Sequence, residues 1–188
     1  FKWDIFVFGA EEDMPSNVNL SKLTANNSFS SPDGLWFSKS TGICWIQTDD
    51  GAFTDETNCM LLASVPGSVG DGGEFYVDNS LLSGTTTTTG VTKTFIGGVL
   101  GESRLRRFLV APKGAEVTGL TETADGKTMF VNIQHPGENT PAHGTAANLT
   151  LESTWPGNGG GVGGAYGPAG RPRSATLIIT KNDGGKIG

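Results

Sequence analysis

Arg106, Arg107, Lys113, Glu116, Asp125, Gln134, His135 and Glu138 crowd polar, titratable chemistry into one stretch of the chain. Glu116 stands in Gly114-Ala115-Glu116-Val117-Thr118-Gly119, a carboxylate at the start of an otherwise apolar strand. A carboxylate so placed can ligate a hard cation such as calcium, which surrounds itself with roughly six to eight oxygens. It can equally cap a turn or pair with Arg106 or Arg107, and the residues alone leave both roles open. Gln134-His135-Pro136-Gly137 ends a strand with two polar side chains and a forced turn. A histidine there can bind an anion or move a proton, or it can serve structure only. A second cluster joins Ser31-Pro32-Asp33-Gly34 to Thr48-Asp49-Asp50-Gly51. Both groups flank one predicted hairpin, so their carboxylates can face the same end of it. Asp-Gly is also an ordinary turn former, without further function.

Strands must position these groups. Trp3–Phe8, Gly34–Ser38, Ile43–Thr48, Arg107–Val110, Val117–Leu120, Thr128–Ile133 and Ser174–Thr180 read as short β-runs bounded by turn residues. Lys39-Ser40-Thr41-Gly42 is a short hairpin connection, and Ala124-Asp125-Gly126 is a turn. Helical spacing of apolar residues is confined to Glu102–Phe108. The chain is therefore expected to be all-β. An Asp-Gly turn ahead of an apolar strand occurs at Asp33-Gly34 and again at Asp125-Gly126. The two copies lie about two periods apart for a propeller blade of roughly 40–50 residues. This favours a partial β-propeller of about two to three blades.

Composition narrows the function classes. Gly (29) and Pro (9) disfavour a helical bundle, since both break helices. With 19 acidic residues against 13 Lys+Arg, the net charge of −6 lacks the basic footprint of a nucleic-acid binder. The longest apolar stretches, such as Met60–Val65, are far short of the roughly 20 residues that span a bilayer. No signal peptide opens the chain, and Phe1 reads as the middle of a strand, as if cut from something longer. Cys44 and Cys59 lack metal-binding spacing and are expected as buried free thiols, with one disulfide the alternative. Thr85–Thr89 is featureless. The Gly-rich region at about 155–172 lacks the lysine and helix of a phosphate cradle, so a surface loop is expected.

The order of several motifs resembles the C-terminal part of the PhoX alkaline phosphatase family. They are Phe1-Lys2-Trp3-Asp4-Ile5-Phe6, Ser31-Pro32-Asp33, Trp45-Ile46-Gln47-Thr48-Asp49, Gly114–Gly119, Asp125–Glu138, Ser153-Thr154-Trp155-Pro156 and Arg171-Pro172-Arg173-Ser174-Ala175-Thr176. The resemblance implies a secreted or periplasmic bacterial phosphomonoesterase, built as a six-bladed propeller around calcium and ferric ions. Residues 1–188 would then be the C-terminal part of a single propeller domain. The metals would neutralise phosphate oxygens and activate the attacking oxygen. On this resemblance Glu116 and Asp33 are expected as calcium ligands, and His135 and Lys113 as phosphate contacts or their supports.

Two departures stand out. Pro32-Asp33-Gly34 replaces the family's Pro-Asp-Asn, removing whatever contact that amide makes. The cysteine and several glutamates that hold iron in the family belong to upstream blades, and neither Cys44 nor Cys59 matches them. The chain is thus expected to leave the iron site incomplete, to be inactive alone, and to need missing blades or self-association through strand edges. The rivals are a non-catalytic propeller remnant that binds a partner, and a calcium-dependent hydrolase of lactonase type.

Overall fold

A computed structural model describes residues 1–53, 55–78, 91–140, 151–157 and 172–188. The threonine run and most of the Gly-rich region lie outside these residues. The chain divides into two compact units, 1–28 with 65–106, and 29–64 with 107–188.

The larger unit holds strands β1 (Pro32–Phe37), β2 (Cys44–Thr48), β3 (Met60–Ser64), β7 (Glu116–Glu122), β8 (Thr128–Gln134) and β9 (Ala175–Thr180). Strand β6 (Leu105–Val110) enters it from Arg107 onward. One sheet has the order β1-β2-β3-β6, the other β7-β8-β9. The hairpin of β1 and β2 is antiparallel, with Trp36 opposite Trp45 and Phe37 opposite Cys44. All five residues of β2 are buried, so this strand is covered on both faces. The core gathers Trp45, Leu61, Val117, Leu120, Met129, Val131 and Ile133 around Ala111, Ala115 and Ile187. Phe108 meets Trp45 edge-on, with ring centroids 4.8 Å apart, an arrangement that suits the ring quadrupoles.

Alternation in β8 sends Met129, Val131 and Ile133 inward, as the period of two requires. In β7 the buried apolar residues are Val117 and Leu120, three apart. A register shift between Thr118 and Leu120 reconciles them. It is a bulge at Gly119, whose φ of 44° lies in the left-handed region, and bulges commonly recruit glycine for this.

The smaller unit contains the hairpin of β4 (Gly73–Asp78) and β5 (Val91–Ile96) and the single turn α1 (Gly101–Arg104). Ile5 bridges β5 in parallel, its N–H donating to the Phe95 carbonyl at 2.8 Å.

The all-β expectation holds, with antiparallel sheets of four, two and three strands as in a part of a propeller, and no closed barrel among the described residues. The strands expected at 34–48, 107–110, 117–133 and 174–180 are present. Trp3–Phe8 is not a strand. It makes one bridge at Ile5, and Trp3 is mostly exposed. Its backbone meets β5 only around Ile5, whose N–H donates to the Phe95 carbonyl and whose carbonyl accepts from the Gly97 N–H. Glu102–Phe108 is not helical beyond α1, because Leu105–Val110 is drawn into sheet pairing. Asp33-Gly34 is no turn either, as both residues belong to β1. The two cysteines are free and buried.

Candidate functional site

Two hairpins in the larger unit set their functional ends side by side. Glu122, at the end of β7, accepts hydrogen bonds from Ser38 Oγ at 2.9 Å and from the Lys39 N–H at 2.8 Å. This ties the β1–β2 connection to the β7–β8 turn end. The opposite ends, where β1 and β7 begin and β2 and β8 finish, carry Asp33, Asp49, Glu116 and His135.

Glu116 opens β7 opposite Gln134, the last residue of β8, and His135 follows directly. The ring Nε2 of His135 lies 3.3 Å from a Glu116 carboxylate oxygen. Its Nδ1 lies 3.5 Å from Glu138 but has no hydrogen-bond partner among the described residues. The ring is held by an unusual backbone: His135 has φ of 36°, and its N–H donates to Ser174 Oγ at 2.9 Å. Such a conformation is costly for a residue with a Cβ, and persists where surrounding contacts fix it.

Asp33 reaches the same end through a second irregularity. Pro32 pairs with Thr48 while Gly34 pairs with Gln47, so Asp33 is the extra residue of a bulge. Gly34 fits there because a Cβ would come within 2.6 Å of the Gln47 side chain. Just across, Asp49 donates its N–H to the Ser31 carbonyl at 3.1 Å. Asp50 turns its carboxylate inward to accept from Ser31 Oγ and from the N–H groups of Ala52 and Phe53.

Glu116 is buried, with 9% of its surface exposed. Burial pushes its carboxyl above the usual range, and the nearby charge of Asp49 pushes the same way. The hydrogen bond and charge of His135 pull it down, and Asp33 adds a smaller upward push. The net direction is up: burial, aided by Asp49 and Asp33, outweighs the histidine. The ion pair that the structure gives Glu116 is with His135, in place of an arginine, while Arg106 donates from Nε to the Glu102 carbonyl.

A small cavity of about 40 Å³ adjoins this end, lined among others by Asp49, Asn58, Lys113, His135, Glu138 and Glu152. Lys113 sits in the turn before β7, largely exposed, its Nζ 3.7 Å from Glu152. The structure brings Asp33, Glu116 and His135 to one strand end, and Lys113 lines the adjoining cavity with His135. Sequence reasoning left out Glu152, which is distant in sequence from Lys113 and was signalled only by preceding the Ser153–Pro156 motif.

Carboxylate oxygens are hard donors and suit calcium. Asp33, Asp49 and Glu116 fit such an ion in kind, and their mutual repulsion is what a cation relieves. They do not form a complete shell: no ready group of three or more metal-binding side chains occurs among the described residues. Iron through a thiolate does not fit. Burial pushes both cysteine thiols up, and Cys59 Sγ already accepts from the Asp50 N–H at 3.0 Å.

Residues 1–137 match the family model described as "Alkaline phosphatase PhoX". A similar solved structure is Pseudomonas fluorescens PhoX in complex with vanadate, a transition state analogue. It is 32% identical, with a TM-score of 0.49, over 86% of this chain and 19% of that protein. The chain therefore spans about a fifth of that relative's length. No curated protein matches the chain.

Proposed function

Because the chain belongs to the alkaline phosphatase PhoX family, we propose that it forms one side of a metal-dependent phosphomonoesterase site within a longer polypeptide. The observation that carries this reading is the gathering of Asp33, Asp49, Glu116 and His135 at one strand end beside a cavity holding Lys113. In the whole protein, Glu116 and Asp33 would hold calcium, and Lys113 and His135 would contact the phosphate. A cation bound there supplies charge neutralisation for phosphate oxygens. Lys113, exposed on a long stem, offers a mobile positive charge to the phosphate. His135 is held against Glu116 by its own strained backbone, so its ring stays directed to the site. Ferric iron, if used, takes ligands from outside these residues. The protein acts outside the cytoplasm or in the periplasm, and residues 1–188 belong to one propeller domain. Strand edges of this portion are covered by further blades or by another copy.

The 188-residue chain by itself is expected to show no turnover of p-nitrophenyl phosphate with calcium and iron added. Turnover abolished by Glu116→Gln would overturn that. In the longer polypeptide, Glu116→Gln keeps the side-chain size but removes the charge. It should weaken calcium binding and lower phosphatase activity together, with excess calcium restoring part of the rate. Identical calcium titrations for the native protein and this variant would remove Glu116 from the metal site. A longer polypeptide that lacks phosphatase activity altogether would favour the non-catalytic, partner-binding alternative.

A further inference from the structure

Glu152 has no role in the reading above, yet its carboxyl is seated in the same cavity. Its side chain is 15% exposed, against 59% for Lys113, so the carboxylate is the fixed partner and the lysine the free one. The seat is built by backbone. Gly114 has φ of 65°, and a Cβ on it would stand 2.6 Å from Glu152 Oε2. The Glu152 N–H donates to Thr140 Oγ1 at 3.1 Å, and that hydroxyl donates to the Gly137 carbonyl at 2.6 Å. The Gly137 N–H in turn donates to the Lys113 carbonyl at 2.8 Å. The connections thus run from Glu152 back to the residue whose ammonium it faces. Glu152 Oε2 is buried with no hydrogen-bond partner among the described residues, which leaves its charge available to Lys113.

We propose that Glu152 is a positioning residue for Lys113, holding the ammonium at the cavity where a phosphoryl group is bound. The proposal rests on the reading of Lys113 as a phosphate contact. A long, exposed lysine loses side-chain freedom when it grips an anion. A fixed carboxylate removes part of that freedom beforehand. At 3.7 Å the pair is loose enough for the ammonium to turn to a phosphate without leaving Glu152. The same carboxylate also repels an anion, but that repulsion acts whether or not Lys113 is present. Positioning acts only through Lys113, so a double-mutant cycle separates the two.

The test uses the longer polypeptide, with KM and kcat for p-nitrophenyl phosphate, the inhibition constant of inorganic phosphate, and melting temperature. Lys113→Met should raise KM and the phosphate constant roughly tenfold, with a smaller change in kcat, as expected for a contact made before and during reaction. Glu152→Gln should raise the phosphate constant roughly threefold to fivefold in the native background, and leave it unchanged or lower it beside Lys113→Met. Glu152→Asp keeps the charge but withdraws it by one methylene, and should behave like Glu152→Gln. Equal effects of Glu152→Gln in both backgrounds would overturn the proposal, as would native behaviour of Glu152→Asp. Loss of folding in both Glu152 variants would also overturn it, in favour of a purely structural carboxyl. If Lys113→Met leaves the phosphate constant unchanged, the phosphate role of Lys113 falls and this proposal with it. If only the coupling is absent, positioning alone fails.

Discussion

Glu116 is a carboxyl placed where its charged form is disfavoured, and that has a consequence measurable without any metal. Burial and the charges of Asp49 and Asp33 raise its proton affinity in the folded chain more than His135 lowers it. A carboxyl whose folded pKa lies above its unfolded value binds more protons folded than unfolded. Its contribution to stability is therefore full below the ordinary glutamate range of about 4.3 and is lost as pH rises through the folded value. Glu116→Gln removes that loss. In metal-free chain it should match the native stability near pH 4, and exceed it above the raised pKa. Denaturation at a series of pH values checks this. A variant less stable at neutral pH would show that the His135 pair outweighs the carboxylate repulsion.

Among the elements, alignment of the two hairpins decides whether the site residues meet. Glu122 is the tie, since its carboxylate receives both the buried Ser38 hydroxyl and the Lys39 N–H. Hydrogen bonds to a charged group contribute roughly 1.5–3 kcal/mol, and more is lost when a buried donor is left unpaired. Glu122→Ala should therefore cost about 1.5–3 kcal/mol in urea unfolding with an unchanged m value. A cost below about 0.5 kcal/mol would mean that the core alone aligns the hairpins. The hairpins themselves were legible in sequence, because alternation in Thr128–Ile133 and the turn at Ala124-Asp125-Gly126 are local signals. The bulge that carries Asp33 was not. Asp-Gly usually marks a turn, and only pairing with Thr48 and Gln47 reveals a strand with an extra residue. Strands β3, β4 and β5 also went unread, and in β4 and β5 the partners are separated by the long connection that includes the threonines. The site was legible where strand ends delivered it, at Asp33, Glu116 and His135. Glu152 was not, since nothing local relates it to Lys113.

For the whole chain, the question is what covers its apolar surface. Leu35 and Phe37 on β1 are 60% and 55% exposed, and Ile178 on β9 is 69% exposed. Both strands lie at the edge of their sheets. An edge strand offers unpaired backbone groups, and proteins usually blunt it with charge, proline or a covering element. Pro32 lies only at the very start of β1, and β9 reads Ala175-Thr176-Leu177-Ile178-Ile179-Thr180 without a charge. Edges of this kind are open to pairing with another strand, in a neighbouring sheet or in a second copy of the chain. We expect the 188-residue chain to associate in a concentration-dependent way in light scattering. Leu35→Lys with Ile178→Lys should shift it toward the monomer, because both side chains face outward and a charge costs little there. A native chain that stays monomeric across that concentration range, with a sharp cooperative melt, would mean that these edges do not drive association. Association unchanged by the two lysines would place the contact elsewhere, and the exposed Phe1 and Trp3 in the smaller unit are the next apolar residues to replace.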